Sequence, residues 1–202
     1  MSRPKARIMR RFGEVFTHSP KYQRILAKRP TPPGQHGARR RKQVGAYGKR
    51  LFEKQKLKAF YDLGEKQMRR YMADALRKKG PTGTNLLQFL ERRLDSIVYR
   101  LGFTPTIWAA KQLVGHGHIR VNGKRVNIPS YLANENDVIS VSEKMKGNAL
   151  VAESLANRGP GMIPPYLLLD RDQVSGTLLR DPYRQEIPVN INENLIVEFY
   201  AR

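Results

Sequence analysis

Followed by the spacing of its apolar positions, the chain changes period along its length. Residues 1 to 45 keep no sustained period: basic side chains are broken by proline and glycine, as in KRPTPPGQHGARRRK. Pro30, Pro32 and Pro33 hold the backbone extended there, and Gly34 and Gly37 free it again. Such a segment has too little apolar surface to fold alone, so it reads as an arm that orders on a partner, with short helical pieces at most. From 48 to 79 the apolar positions Leu51, Phe52, Leu57, Phe60 and Tyr61, then Met68, Tyr71, Met72, Ala75 and Leu76, recur three and four apart. That spacing predicts two helices with basic outer faces, separated at Asp62 and Gly64 and ended by Gly80 and Pro81.

After GPTGTN, a stripe of Leu86, Leu87, Leu90, Leu94, Ile97, Val98 and Leu101 leaves Arg92, Arg93, Tyr99 and Arg100 to project elsewhere. Thr104 or Thr106 can cap the next helix, PTIWAAKQLV, which Gly115 closes. The period then falls to two. HIRV and KRVNI flank Asn122-Gly123, and both central positions of a tight hairpin turn need positive φ, so a hairpin is predicted. DVISV at 137–141, YLLLD at 166–170 and VSGTLLR at 174–180 predict further strands. Residues 143–165 form a connection with one short helix, NALVAESLA. The ending INENLIVEFYAR fits a buried helix as well as a strand; Asn192 as a cap and Arg202 at the C-terminus favour the helix.

Charge narrows the functional classes. The 202 residues hold 38 Lys and Arg against 17 Asp and Glu, a net charge of +21. The charge is graded: +14 over residues 1 to 50, +6 over 51 to 100, +3 over 101 to 150, and −2 over 151 to 202. A chain so charged repels itself until a polyanion neutralises one end. No apolar run approaches the roughly 18 to 20 residues of a spanning helix, and the N-terminal stretch has charge without an apolar core, so neither a membrane nor a secretory address is expected. Cysteine is absent, which removes disulfides, thiolate metal sites and thiol nucleophiles and is compatible with a cytosol-like compartment.

Candidate chemistry is sparse. His116 and His118 are spaced by one residue with no Cys, Asp or Glu beside them, so they read as imidazoles on a helix-to-strand loop, structural or touching phosphate. Asp170 and Asp172 flank a turn between strands, where Asp is commonplace. No phosphate-binding glycine loop, serine elbow or zinc spacing is present, and no enzyme, cofactor, metal or small-molecule substrate is expected. RNA is the expected partner. Its candidate contacts are Arg3, Lys5, Arg7, Arg10, Arg11, Arg39, Arg40, Arg41 and Lys42 on the arm; Tyr47, Lys49, Arg50, Lys54, Arg69 and Arg70 on the helices after it; and a compact face of Arg92, Arg93, Arg100, Lys111, His116, His118, Arg120, Asn122, Lys124 and Arg125.

The stretch LERRLDSIVYRLGFTPTIWAAKQLVGHGHIRVNGKRVNIPSYL followed by NDVISV resembles the RNA-binding module that defines the small-subunit ribosomal protein "S-four" family. KRPTPPGQHGARRRK, AYGKRLFEKQKLK and NENLIVEFYAR are similar to the full-length bacterial or organellar ribosomal protein, so the resemblance covers nearly the whole chain. It implies an α+β fold: a basic extended arm (1–45), a helical domain (46–85 with 190–202), and an inserted RNA-binding domain (86–189, core motif 90–141) of helices packed on a small, mostly antiparallel sheet. It also implies a primary binder of a multi-helix junction in the 5′ domain of small-subunit ribosomal RNA, acting early in assembly. Implied partners are the neighbouring protein "S-five" and mRNA at the entry channel, with an influence on decoding accuracy. The implied location is the ribosome, of the cytoplasm or of an organelle's stroma or matrix. Repression of its own messenger RNA and RNA modification through the same module are the alternatives. Two departures stand out: many relatives hold zinc with cysteines near the N-terminus and this chain has none, and Ile107 follows Thr106 where relatives often carry arginine.

Overall fold

The computed structural model describes residues 4–17, 19–38 and 44–201. Ten α-helices appear among them: α1 (Lys5–Phe12), α2 (Pro20–Lys28), α3 (Ala46–Phe60), α4 (Glu65–Arg77), α5 (Thr82–Glu91), α6 (Leu94–Arg100), α7 (Ile107–Gly115), α8 (Glu143–Lys146), α9 (Ala149–Ala156) and α10 (Glu193–Tyr200). Five short strands accompany them: β1 (Ile119–Val121), β2 (Lys124–Val126), β3 (Val138–Val141), β4 (Leu167–Asp170) and β5 (Ser175–Leu178). The chain divides into two units, one running to Glu65 and resuming at Ile191, the other spanning Lys66–Asn190.

In the first unit the segment read as an extended arm contains two helices. Met9 and Phe16 are buried, with Phe12 5.1 Å from Phe52 and Phe16 5.7 Å from Phe60 between ring centroids. Local composition could not show this, because the aromatic partners lie far along the chain in α3. Arg10 Nε donates to the carbonyls of Arg29 (3.1 Å) and Thr31 (3.0 Å), joining α1 to the end of α2. With no thiol available for zinc, the ring contacts, the Arg10 guanidinium and the ion pairs Lys5–Asp62 (3.7 Å) and Glu14–Lys56 (2.5 Å) hold this segment. The C-terminal sequence is helical, and Asn192 Oδ1 accepts from the N–H groups of Asn194 and Leu195. It packs on α3, with Arg50 2.7 Å from Glu198 and the Asn192 N–H donating to Glu53 at 3.1 Å.

The second unit is built on an antiparallel sheet in the order β2-β1-β3-β5-β4. Ile119, Val121, Ile139, Val141 and Leu178 join Leu94, Ile97 and Val98 of α6 and Ile107, Ala110 and Val114 of α7 in one core. Each fully buried aliphatic side chain contributes about 1.5 to 3 kcal/mol. Thr106 caps α7, its Oγ1 accepting from Ala109 N at 3.2 Å. The α4 helix, expected to belong with the N-terminal helices, lies in this unit apart from its first residue: Asn85 of α5 donates to the carbonyl of Lys78 at 3.0 Å just past the end of α4.

The stripe read as one helical stretch is broken. Arg93 takes an extended conformation (φ −63°, ψ 140°) and forms an antiparallel bridge with Leu132, so α5 and α6 are separate helices.

Candidate RNA interface

The hairpin presents its cations by register. Asn122 (φ 49°) and Gly123 (φ 78°) make the predicted turn. The Asn122 side chain donates to Asp137 at 2.8 Å and accepts from Val138 N at 2.9 Å, which fastens the turn to β3. In β1, Ile119 and Val121 are buried while Arg120 points outward, and Arg120 is the register partner of Arg125 on β2. Like charges placed directly opposite destabilise a sheet. Arg120 and Lys124 are exposed and have no carboxylate partner among the described residues. Arg125 Nη2 donates to the His116 carbonyl at 3.2 Å, and its guanidinium lies where a Cβ on Gly117 (φ 74°) would stand. His116 caps the end of α7, and its ring lies 6.1 Å from that of His118 just before β1.

Several residues expected on this face are elsewhere. Arg93, 1% exposed, donates from Nε and Nη2 to Asp95 at 2.9 and 2.5 Å and from Nη1 to the Tyr71 hydroxyl at 2.7 Å. Arg100 is likewise buried and paired with both oxygens of Glu91, at 3.0 and 2.6 Å, while the Tyr166 hydroxyl donates to Glu91 at 2.9 Å. The reason is that every residue of α6 is buried, so the outer face assumed for a half-exposed helix does not exist. Burial pushes the Asp95 carboxyl up against the opposing pull of Arg93, and burial beside Glu91 pushes the Tyr166 hydroxyl well above its ordinary value. These are structural charges.

Others are partly engaged. Arg92 donates to the Ala133 carbonyl at 2.9 Å and to Asn134 at 3.0 Å; Lys111 is half-buried and its charge acts on Asp95. In the first unit Lys54 is buried, bonded to Glu65 at 2.9 Å and 4.2 Å from the centre of the Phe199 ring, which removes it from the surface. Arg10 and Arg50 are taken up by the contacts already described, and Lys5 lies 3.7 Å from Asp62. Arg7, Arg11, Tyr47, Lys49, Arg69 and Arg70 are exposed, with Arg70 4.0 Å from Asp74. Arg3, Arg39, Arg40, Arg41 and Lys42 lie outside the described residues, as do His18 and Arg202.

Sequence reading missed Lys66, Arg77 and Lys79, which are exposed on and just after α4 beside Arg69 and Arg70. The three-and-four spacing of Met68, Tyr71, Met72 and Ala75 already assigned that side of the helix to solvent. It also missed Lys28 and Arg29, which with Arg7 and Arg10 line a groove of about 310 Å³ between α1 and α2. Chemically, these surfaces can hold anions. Asp170 serves its turn, accepting from the N–H groups of Asp172 and Gln173 at 3.0 Å each.

A family model described as the ribosomal protein S4/S9 N-terminal domain matches residues 1–91, and the S4 domain matches 92–139. Small ribosomal subunit protein uS4 of Aquifex aeolicus is 48% identical over 204 residues, covering 98% of this chain and 97% of that protein. The chain belongs to the uS4 family. Similar matches reach uS4 of Akkermansia muciniphila, 48% identical over 200 residues, and uS4 of Borrelia duttonii, 43% identical over 199 residues with 98% and 96% covered. The S4 domain match ends inside β3, so within this uS4 family chain the module comprises α6, α7, the hairpin and the beginning of β3. The family consists of structural ribosomal proteins rather than enzymes.

Proposed function

We propose that the chain is a structural protein of the small ribosomal subunit that binds small-subunit ribosomal RNA at a multi-helix junction of its 5′ domain and acts early in assembly. The observation that carries this reading is the pair of uncompensated cations on the hairpin, Arg120 and Lys124, held outward by strand register inside the segment that matches the S4 domain. A-form grooves hide base edges and display phosphates and 2′-hydroxyls, so a rigid basic hairpin reads the shape of a folded junction. The exposed cations of α4, and separately Arg7 and Arg11 in the first unit, add phosphate contacts that are blind to sequence. The family resemblance supports the neighbouring protein "S-five" and mRNA at the entry channel as further partners, a contribution to decoding accuracy, and a place in cytoplasmic ribosomes.

The test is binding of the full chain to the 5′-domain RNA and to an unrelated RNA of equal length across a salt series. The expected result is a preference for the 5′-domain RNA that survives as salt rises. If both affinities collapse together, the chain is a general polyanion binder.

A further inference from the structure

A pocket beside the C-terminal end of α7 has a different character from the hairpin surface. One wall is Gln112, Leu113, His116 and His118; the facing wall is Met145 of α8 and Asn148, the cap of α9. The first wall lies within the S4 domain match and the second outside it, so the pocket exists because this chain continues past the module into α8 and α9. Its volume is about 200 Å³, below the roughly 300 to 1,000 Å³ of pockets for drug-sized ligands. It suits one flat ring system.

The lining selects among flat groups. Leu113 and Met145 supply apolar surface, and the two imidazoles, inclined at 69° to each other, offer one ring face for stacking and one ring edge beside it. The Gln112 amide is exposed and has no partner among the described residues. Asn148 Oδ1 is committed to Leu150 N at 2.9 Å, but its Nδ2 meets only the Met145 sulfur at 3.9 Å, a weak acceptor. Amide donors and an acceptor are therefore available to an edge that carries both. No carboxylate lines the pocket, and Arg125, bonded to the His116 carbonyl, stands close by for a phosphate.

We propose that this pocket takes one unstacked nucleobase of the bound RNA, with one imidazole of the His116–His118 pair against its face, the other meeting it edge-on, and Gln112 and Asn148 against its edge. Splayed bases stacked on aromatic side chains and bonded along their edges are the usual route to specific RNA recognition. The inference rests on the RNA-binding reading above and adds a base-selective contact to one made of phosphates and shape.

A mutant cycle on the full chain and the 5′-domain RNA tests it. Each unpaired nucleotide of the junction is replaced in turn by an abasic residue, and affinity is measured for the wild type, for Ala109→Trp, which fills the pocket from its α7 wall, and for Gln112→Ala. One abasic position is expected to cost the wild type on the order of tenfold and to cost Ala109→Trp nothing further. Gln112→Ala, an exposed change that leaves the core intact, should show the same coupling in weaker form. Equal abasic penalties in the wild type and both variants at every position overturn the pocket while leaving RNA binding in place. A wild type that does not prefer the 5′-domain RNA at all overturns the broader reading, and this inference falls with it.

Discussion

Within the second unit, the arginines around α6 and the arginines of the hairpin have the same chemistry and opposite roles. Arg93 and Arg100 are enclosed, each with a carboxylate at two points and a tyrosine in the network. Arg120 stands in solvent opposite another arginine, with no carboxylate partner among the described residues. Net charge counts both kinds equally. What separates them is whether the fold itself supplies the counter-charge: where it does, the cation specifies the fold, and where it does not, the counter-charge must come from a partner.

The comparison breaks most sharply at Arg93. Arg93→Ala leaves Asp95 buried without its partner, and removing one member of a buried pair costs about 3 to 5 kcal/mol. Urea unfolding should show that loss, and the variant's RNA affinity at temperatures where it stays folded should keep the wild-type salt dependence. A normal unfolding midpoint with weakened binding would return Arg93 to the interface.

Arg120→Ala is the mirror image. Loss of one charge-assisted contact should weaken junction binding by roughly 1 to 3 kcal/mol and reduce the slope of log affinity against log salt by about 0.7 to 0.9. Stability should stay within about 0.5 kcal/mol, as for an exposed site without special contacts. Wild-type affinity in this variant would remove the hairpin from the proposed face.

A third case lies in the first unit, where Glu65 serves Lys54 and Lys58 at 2.9 and 2.6 Å. Burial alone would push its carboxyl up; the two lysines outweigh that and hold it at about 2, against an ordinary value of 4.5. A lowered carboxyl stabilises the fold fully above pH 4.5, and the benefit is lost as the pH falls toward 2. The side chain is 35% exposed, so solvent screening reduces the effect to roughly 1 kcal/mol. Glu65→Gln should be less stable than wild type by that amount at neutral pH, and the two unfolding curves should converge through this acid window. A gap that persists at pH 2 would show that packing rather than charge accounts for it.

Most of the element boundaries were legible because their signals are local. Asn122-Gly123, Thr106 and Asn192 each act on neighbours within a few residues, and all three do in the structure what their positions imply. The packing of the N-terminal helices was not legible, since Phe12 and Phe16 find their partners in α3. Nor was the break between α5 and α6, where an unbroken leucine stripe hides a bridge from Arg93 to Leu132. The hairpin half of the site could be read from alternation. The burial of Arg93 and Arg100 could not, because it depends on Tyr71 and Tyr166, which lie distant in sequence.

The smallest effect sharpens the comparison furthest. Arg120 and Arg125 are register partners on adjacent strands, and cross-strand pairs are worth roughly 0.2 to 1 kcal/mol in either direction. With no carboxylate paired to Arg120 among the described residues, this pair should cost stability in the free protein. Arg120→Gln should therefore raise the urea midpoint slightly at low salt, by a few tenths of a kcal/mol, while weakening RNA binding. The gain should fade in about 1 M salt, where the screening length shrinks to about 3 Å. Arg93→Gln should do the reverse, losing stability at every salt concentration because its partner is out of reach of mobile ions. A stabilising change at one arginine and a damaging one at the other would separate a cation kept for a partner from a cation kept for the fold. If Arg120→Gln instead lowers stability at all salt concentrations, then Arg120 has a structural role as well and the two regions differ less than their burial implies.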